Sequence, residues 1–353
     1  MQTVCNLSPA RSILLAAGAF LCLITLGGCA GGGGGSSSTL PVPFVYPTSL
    51  KDATSSDTVD GFISPYSLDT TTNGLVSTTP SVSGTSPSAG TITIMVDPIK
   101  LPLPSTATEP AFSVKFDPAS LSALPVLNSP LDSLLTPCPD CLKTVTVNTL
   151  TGNPAPVTFT YLDPSAIGLN YSVLGIWEKP TTTGIGGTQD SDWPYVGGAF
   201  SAGVLTRGID LPTTGSASYS GYFLGRYVTS VASGPAAPGT YLVGANASAT
   251  ANFGAGTVSL STSGTFIAPD SGGIPFAMSG LDLTANTMPI VRDPTSNSFG
   301  GKASTTSGLS GPIQGGFYGP PATTGDYAPP ELGGSLSVTN GTESMAGSFA
   351  LKK

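Results

Sequence analysis

The chain has 353 residues, only 9% of which are charged, and its formal net charge is −8. Its 12 Lys and Arg residues give no cationic surface for phosphate groups, which argues against nucleic acid as a partner. Histidine is absent, so the commonest general base, triad member and zinc ligand are all missing. We therefore predict that the protein is not an enzyme and holds no metal ion or cofactor.

Glycine and proline are frequent, with 46 and 33 residues. So many turn formers and so few charges are typical of all-β structure rather than of helices. The length allows about two domains of roughly 100–200 residues each. We predict a β-rich first domain at 49–194 and a second domain at 195–353.

The N-terminus has the features of an exported lipoprotein. Arg11 precedes an apolar run, Ile13–Leu26, which fits the core of a signal peptide and is too short to span a membrane comfortably. The run ends in Leu26-Gly27-Gly28-Cys29, which resembles the bacterial lipobox. We predict a signal peptide at 1–28 and lipidation of Cys29. The alternative is an ordinary secretory signal with an incidental cysteine.

A Gly- and Ser-rich stretch follows the predicted lipidation site. Gly31–Gly35 and Ser36–Ser38 predict a flexible coil within a tether at 29–48. Ala30 stands where an aspartate would favour retention in the inner membrane, so we expect an outer-membrane protein that is exposed on the cell surface. A tether beside a lipid suits a protein that reaches outward for a partner.

Two cysteines remain after the signal peptide and Cys29 are set aside. Cys138 and Cys141 enclose only Pro139-Asp140. A redox pair would need a βαβ context, and a zinc site would need further ligands. A structural disulfide fits an oxidising compartment, and so short a loop would stabilise only a local turn. The sequence favours the disulfide among these three interpretations.

The first domain alternates strand patterns with turn signals. Two neighbouring patterns, Thr144–Val147 and Val157–Leu162, predict a hairpin. A strand at Leu169–Glu178 closes the domain, and its aromatic residues Tyr171 and Trp177 are expected to pack in the core, with ligand binding as the alternative. The Gly- and Thr-rich stretch 181–192 is the predicted linker. The other elements expected here are strands at 91–96 and 112–116 and helical turns at 119–127 and 131–135.

The second domain repeats short alternating strand patterns at even spacing, which indicates a sandwich or a barrel. Its Ser-rich faces are too polar to meet lipid, so we predict a soluble eight-stranded antiparallel barrel filled by its own apolar side chains. Leu336 and Val338, for example, alternate with Ser335 and Ser337, which predicts one buried and one solvated face. The nine candidate strands are 198–206, 217–227, 241–253, 256–267, 276–286, 299–305, 308–318, 332–339 and 344–351.

Three segments carry a resemblance to a known family. The first is Gly315-Gly316-Phe317-Tyr318-Gly319-Pro320 with the downstream Glu331-Leu332-Gly333-Gly334, and the others are Leu211–Gly221 and Tyr171–Trp177. Together they resemble the transferrin-binding protein B family of Gram-negative surface lipoproteins. The resemblance covers about 169–351. It implies a β-rich handle domain packed beside an eight-stranded barrel, with one such lobe in this chain.

The resemblance also implies a function. Family members are surface receptors, so the expected partner is a secreted or host protein, including one that carries iron or haem, and a TonB-dependent outer-membrane transporter is a further implied partner. Binding would use loops of the handle and the barrel. Tyr318, Tyr327 and the loop Pro321–Pro330 are the candidate contacts, because Tyr and Pro bind at low entropic cost.

Two other functions fit the sequence. A structural or adhesive envelope lipoprotein without a nutrient ligand would suit the Ser-, Thr- and Gly-rich surface. A carboxylate-based hydrolase would use Asp190 and Asp192, or Glu178 near them, but such pairs need a defined separation in a cleft. Aspartates in a Gly-rich linker are more typical of solvated turns.

Overall fold

The computed structural model describes residues 45–49, 59–68, 88–94, 99–101, 112–114, 141–147, 157–180, 195–230, 232–233, 235–269, 274–294, 296–322 and 327–353. Residues 1–44 lie outside this part and include the predicted signal peptide and Cys29. The same holds for Cys138, the two predicted helical turns and the predicted linker. These predictions therefore stay predictions.

The first eight strands form one antiparallel sheet, which we call the first sheet. Its spatial order is β4-β3-β2-β1-β8-β7-β6-β5. The predicted hairpin is confirmed, because β5 and β6 pair from Leu142↔Leu162 to Val147↔Val157. The strands are β1 Val59–Leu68, β2 Ser88–Ile94, β3 Ile99–Leu101, β4 Phe112–Val114, β5 Leu142–Val147, β6 Val157–Leu162, β7 Ser172–Pro180 and β8 Tyr195–Gly203.

A single helical turn, α1 at Pro164–Ile167, joins β6 to β7. Asp163 caps it by accepting a hydrogen bond from the Ser165 N–H at 2.9 Å, and Pro164 occupies the first turn, where its missing N–H costs nothing. Gly168 ends it in the left-handed conformation, with φ at 74°. This turn was not predicted. The capping signals were present, but four residues are too short for a recognisable apolar period.

The remaining strands form a closed antiparallel barrel, which confirms the predicted fold class. Each strand pairs with its neighbours, and β17 pairs with β9 to close the ring of eight. The ninth, short strand β12 pairs only with β11, outside the ring. The strands are β9 Ser216–Thr229, β10 Gly239–Asn252, β11 Thr257–Pro269, β12 Phe276–Ala277, β13 Leu283–Arg292, β14 Asn297–Thr305, β15 Ser310–Tyr318, β16 Glu331–Thr339 and β17 Glu343–Lys352.

Two of the predicted barrel strands differ from the structure. The candidate at 198–206 does form, but as β8 it pairs with β1 and β7 in the first sheet and not in the barrel. The candidate at 276–286 is broken into β12, a 3-10 turn at Ser279–Leu281 and the start of β13. Alternation marks both as strands, but it carries no information about which sheet a strand joins.

The barrel interior is filled by apolar side chains, as predicted. Alanines line β10 at alternate positions from Ala245 to Ala251, and all are buried. Aromatic rings fill the space elsewhere, and the centroid of Phe317 lies 5.7 Å from that of Phe299 and 5.4 Å from that of Phe253. Small residues on one wall and large rings on others pack this interior tightly.

The first sheet covers one wall of the barrel. Strands β1, β7 and β8 pack on one side of the barrel. The barrel strands on that side are β15, β16 and β17, and we call them the covered wall. Every residue of β16 except Thr339, and every residue of β17 except Lys352, is buried. The opposite wall is formed by residues 216–220, 246–252 and 257–263, and we call it the free wall. There, buried and more exposed residues alternate.

Candidate functional site

Glycines allow the first sheet to approach the covered wall closely. A Cβ atom at Gly316 would lie 2.9 Å from the Phe62 ring and 3.0 Å from Leu205. A Cβ at Gly333 would collide with the Ser201 hydroxyl of β8. The pairs Gly315-Gly316 and Gly333-Gly334 therefore occur where a strand is in contact on both faces and has no room for side chains.

Glu331 is buried at the junction of the barrel and the first sheet, and 1% of its surface is exposed. Its carboxylate accepts hydrogen bonds from the Asn170 N–H at 2.5 Å and from the Tyr171 N–H at 3.1 Å. The Ser172 hydroxyl donates a third at 2.7 Å. The donors belong to the turn that opens β7, and Glu331 opens β16, so one side chain joins the two parts.

The environment of Glu331 shifts its acidity in two directions. Burial raises the pKa of this carboxyl group, and the hydrogen bonds from residues 170–172 lower it. Burial is the larger effect, so the pKa lies above its ordinary value. A buried carboxyl group that accepts several hydrogen bonds holds the donor backbone in place. Glu331 holds the segment 170–172 in this way.

Tyr318 is fully buried, which argues against its predicted role as a ligand contact. Its hydroxyl donates a hydrogen bond to the Ser201 carbonyl of β8 at 3.2 Å. The side chain thus lies between β15 and the first sheet, where no partner can reach it. The alternation of β15 could not show this, because the face that it predicts to be solvated is the one that the first sheet covers.

Polar pairs also cross the interface between the sheet and the barrel. The Ser64 hydroxyl donates to the Ser335 hydroxyl at 3.0 Å, and the Ser348 hydroxyl donates to the Gly175 carbonyl at 3.0 Å. Ser335 was expected on a solvated face, and this expectation was wrong because β1 packs over it. Small hydroxyl side chains can be buried here because each finds a partner.

Glu178, a candidate acid of the hydrolase alternative, is held in an ion pair. Both oxygens of its carboxylate accept hydrogen bonds from the Arg226 guanidinium, at 2.7 and 2.5 Å. Each side chain is 14% exposed. This bidentate geometry links β7 to β9 and occupies the carboxylate. Asp190 and Asp192 lie outside the described residues.

Val45, the first described residue, lies at the end of the barrel where β9 begins and β13 ends, and we call this the entry end. The Tyr46 hydroxyl donates to Asp210 at 2.6 Å, and the Arg207 guanidinium pairs with the same carboxylate at 2.7 Å. Burial raises the pKa of Tyr46, and the Asp210 carboxylate raises it further. For Asp210, burial raises the pKa, but the hydrogen bonds from Arg207 and Tyr46 outweigh this effect and lower it.

Tyr327 lies on the loop between β15 and β16 at the entry end. Its side chain is 57% exposed, so it stays available as a predicted contact. The loop is fixed next to it, because the Tyr219 hydroxyl donates to the Pro329 carbonyl at 3.0 Å. Trp177, by contrast, is buried, which confirms its predicted packing role. Cys141 is fully buried, but its predicted partner Cys138 lies outside the described residues.

The opposite end, which we call the far end, contains a second buried carboxyl group. The Tyr227 hydroxyl donates to Glu343 at 2.5 Å, and the Asn340 amide donates to the same carboxylate at 2.9 Å. Burial raises the pKa of Glu343, but these hydrogen bonds and one from Ser233 outweigh it, so the pKa lies below its ordinary value. Sequence analysis missed both Glu331 and Glu343. Their only signal was an acidic residue at the first position of a strand that carries no other acidic residue.

No described residues form a cluster of three or more His, Cys, Asp or Glu side chains that could hold a metal ion. In the part of the chain that the structure describes, no helix is both long and apolar enough to cross a membrane.

The fold defines a two-part antiparallel β protein, in which a closed barrel carries a separate sheet on one wall. Residues 211–353 match the family model of the C-lobe and N-lobe β-barrels of transferrin-binding protein B. The barrel is therefore of the transferrin-binding protein B type, and the resemblance inferred from the sequence is confirmed. No curated relative matches the chain.

Several solved structures of transferrin-binding protein B are similar to the chain. An intact protein with N and C lobes is 14% identical, with 82% of this chain and 46% of that chain covered and a TM-score of 0.42. A double mutant from Haemophilus parasuis is 16% identical, with 82% and 44% covered and a TM-score of 0.41. The protein from Neisseria meningitidis is 17% identical, with 82% and 43% covered and a TM-score of 0.36. The chain thus spans less than half the length of these three proteins.

Proposed function

We propose that this chain is a lipid-anchored, non-catalytic receptor on the outer surface of a Gram-negative bacterium that binds a secreted or host protein. The observation that carries the proposal is the match of residues 211–353 to the barrels of transferrin-binding protein B. The lipobox that ends at Cys29 supports the anchor, and the absence of histidine from the sequence agrees with a binding role. An iron- or haem-carrying protein is the preferred partner class, and a TonB-dependent transporter would accept the cargo.

The structure supports a receptor because it combines a rigid scaffold with exposed loops. The barrel interior and the interface with the first sheet are packed by side chains, so the scaffold is rigid. Loops on such a scaffold are the usual place for binding residues. Tyr327 is the remaining predicted contact with an exposed side chain, whereas Tyr318 is buried.

Capture from serum or culture medium tests the binding role. The chain from Ala30 onward is immobilised, and retained proteins are identified by mass spectrometry. We expect one secreted or serum protein to be retained by the folded chain and not by the heat-denatured chain. Retention of the same mixture by both would contradict the receptor. A Tyr327→Ala variant should weaken capture if Tyr327 is a contact, with Lys302→Ala, at an exposed position of β14, as the control.

The predicted anchor is tested separately. Cys29→Ala should move the protein from the membrane fraction to the soluble fraction, and protease added to intact cells should remove the wild-type protein. A protein that resists shaving while a known surface protein is cleaved would place the chain inside the envelope. The predicted Cys138–Cys141 disulfide is tested by reduction, which should hardly change the melting temperature because the loop is short.

A structural or adhesive envelope protein remains the second candidate. The free wall favours it, because its outward side chains are Ser, Thr and Asn and include no charge. Ser248, for example, shares a 3.0 Å hydrogen bond with Ser261 on the next strand. Deletion of the gene would then change adhesion or envelope integrity and leave growth on protein-bound iron unaffected.

A further inference from the structure

The large apolar side chains that remain exposed are unevenly distributed. Five are exposed among the described residues, and four of them lie at the entry end of the barrel. They are Val45 at 80%, Ile209 at 64%, Tyr327 at 57% and Val291 at 49% exposure. The fifth, Ile274 at 89%, lies at the far end, beside β12.

The strand pairings and contacts place these residues at one end. Ile209 belongs to a 3-10 turn, Gly208–Asp210, and a Cβ at Gly208 would collide with Asp293 in the turn after β13. Val291 is the second-last residue of β13, next to the turn that contains Asp293. Val45 precedes Tyr46, whose hydroxyl bonds to Asp210.

The charges at the two ends differ as well. Among the described residues, the loops and strand ends of the barrel at the entry end carry exposed or partly exposed cations and two surface carboxylates, namely Arg207, Arg292, Lys352, Lys353, Asp210 and Asp293. The described loops of the far end carry no Lys or Arg and include Asp282 and Glu343. Because Arg207 and Asp210 form an ion pair, the excess of positive charge among these residues comes from Arg292, Lys352 and Lys353 against Asp293. The described part of the entry end is thus locally cationic in a chain whose formal net charge is −8.

Apolar side chains that project among cations are typical of surfaces that rest on an anionic lipid interface. The path of the chain agrees, because the predicted tether from Cys29 would reach the folded part at Val45. A flexible Gly- and Ser-rich coil of about 16 residues has a root-mean-square length of roughly 20 Å. A tether of that length would give the folded part an effective concentration of about a millimolar at the membrane, so even weak docking would orient the molecule.

We propose that the entry end is a membrane-docking surface for anionic lipid headgroups, and that Ile209 and Val291 insert into the interface while Lys352 and Lys353 contact the headgroups. This inference rests on the proposed function for its cellular setting, because the anchor would bring the entry end to the membrane, but the surface itself would bind lipid headgroups without the lipid on Cys29. Under this proposal Tyr327, at the entry end, faces the membrane and is no longer a candidate contact for the protein partner. Partner binding then falls to loops of the far end and of the first sheet.

Vesicle binding tests the surface without the anchor. Residues 45–353 form one compact unit with its own apolar cores, so a chain from Ala30 keeps the folded part and lacks Cys29. We expect it to sediment with vesicles that contain phosphatidylglycerol at low salt, and to bind vesicles of phosphatidylcholine alone more weakly. Raising the salt concentration should weaken binding to the anionic vesicles.

Two matched pairs of variants locate the surface. Ile209→Asp should weaken binding to the anionic vesicles about fivefold or more, whereas Ile274→Asp at the far end should leave it unchanged. Lys353→Gln should weaken it about fivefold, and Lys302→Gln on the barrel wall should not. The side chains are exposed, so melting temperatures should match the wild type and show that a loss of binding is not a loss of folding.

Three outcomes would overturn the proposal. The first is no binding to anionic vesicles at low salt, and the second is equal effects of Ile209→Asp and Ile274→Asp. The third is an Ile209→Asp variant that binds vesicles normally and no longer captures the partner protein, which would make the entry end a protein-binding surface. A failed anchor would instead appear only in the Cys29→Ala fractionation, so the two proposals fail separately.

Discussion

The covered wall and the free wall of the barrel are built from similar residues but meet different surroundings. On the free wall, Ser and Thr other than Thr262 point to solvent and Ala, Val and Leu point inward, so the strands alternate in burial. On the covered wall, β16 and β17 are buried on both faces, and serines there lie under the first sheet. A small hydroxyl side chain can therefore lie either on the solvent-exposed surface or in the interface. Whether another strand packs over it determines which of the two occurs.

The energetic demands on the two walls follow from this difference. A residue on the free wall has to fit one neighbour layer, and water satisfies the other face. A residue on the covered wall must fit two layers and satisfy every polar atom without water. Substitutions should therefore be costly on the covered wall and nearly neutral at matched positions on the free wall.

The largest effect is expected at Glu331. Glu331→Ala should lower the free energy of unfolding by about 3 kcal/mol, because the N–H groups of Asn170 and Tyr171 and the Ser172 hydroxyl lose their acceptor inside the interface. Urea unfolding measures the change. A loss below about 0.5 kcal/mol, the range of ordinary surface substitutions, would mean that water replaces the carboxylate.

The next effect comes from a pair of glycines. Gly334→Ala should cost about 2 kcal/mol, since its Cβ would collide with the Gln314 carbonyl and the Phe349 ring. At Gly254, in the hairpin after β10, the nearest heavy atom to an added Cβ is 3.6 Å away, an ordinary contact, so Gly254→Ala should be neutral or slightly stabilising. Thermal melting of the two variants compares them directly, and equal losses would contradict the contrast between the covered wall and an exposed hairpin of the barrel.

A pH effect should accompany the buried carboxyl group. Because the pKa of Glu331 is higher in the folded than in the unfolded chain, the folded state binds its proton more tightly. Its contribution to stability is therefore complete below the ordinary pKa of about 4.5 and is lost as the pH rises through the raised value. Stability measured against pH should show this fall in the wild type relative to Glu331→Gln. Parallel curves for the two proteins would show that the group does not titrate in this way.

The smallest effect is expected for a matched pair of serines. Ser335→Ala should cost about 1 kcal/mol, because the Ser64 hydroxyl loses its acceptor in a dry interface. Ser261 also makes a hydroxyl hydrogen bond, with Ser248, but it is exposed, and Ser261→Ala should stay within about 0.5 kcal/mol of the wild type. Unfolding free energies of the two variants that differ by less than their error would remove the distinction.

The sequence was sufficient to predict the barrel and most of its strands. Alternation such as Val258-Ser259-Leu260 reports one dry and one wet face, and the structure has Val258 and Leu260 buried. Alternation was misleading where a strand is buried on both faces, as at Ser335 and Tyr318, because the strand that covers it comes from a distant part of the chain. The membership of β8 in the first sheet was unpredictable for the same reason.

The candidate site was less predictable than the fold. Tyr318 and Tyr327 are nine positions apart in similar Gly- and Pro-rich sequence, yet one is buried and the other exposed. Their difference arises from β8, whose Ser201 accepts the Tyr318 hydroxyl. The role of Glu331 could not be predicted either, because its donors in residues 170–172 are remote along the chain.

The pairing of β17 with β9 has a consequence for biosynthesis. The register joins Ser220 to Lys352, so the first barrel strand emerges from the ribosome long before the strand that completes its hydrogen bonding. Until then the first sheet, although made earlier, has no finished wall on which to rest. Contacts this distant in sequence slow folding, and a chain that stops before Glu343 would leave two strand edges open to aggregation.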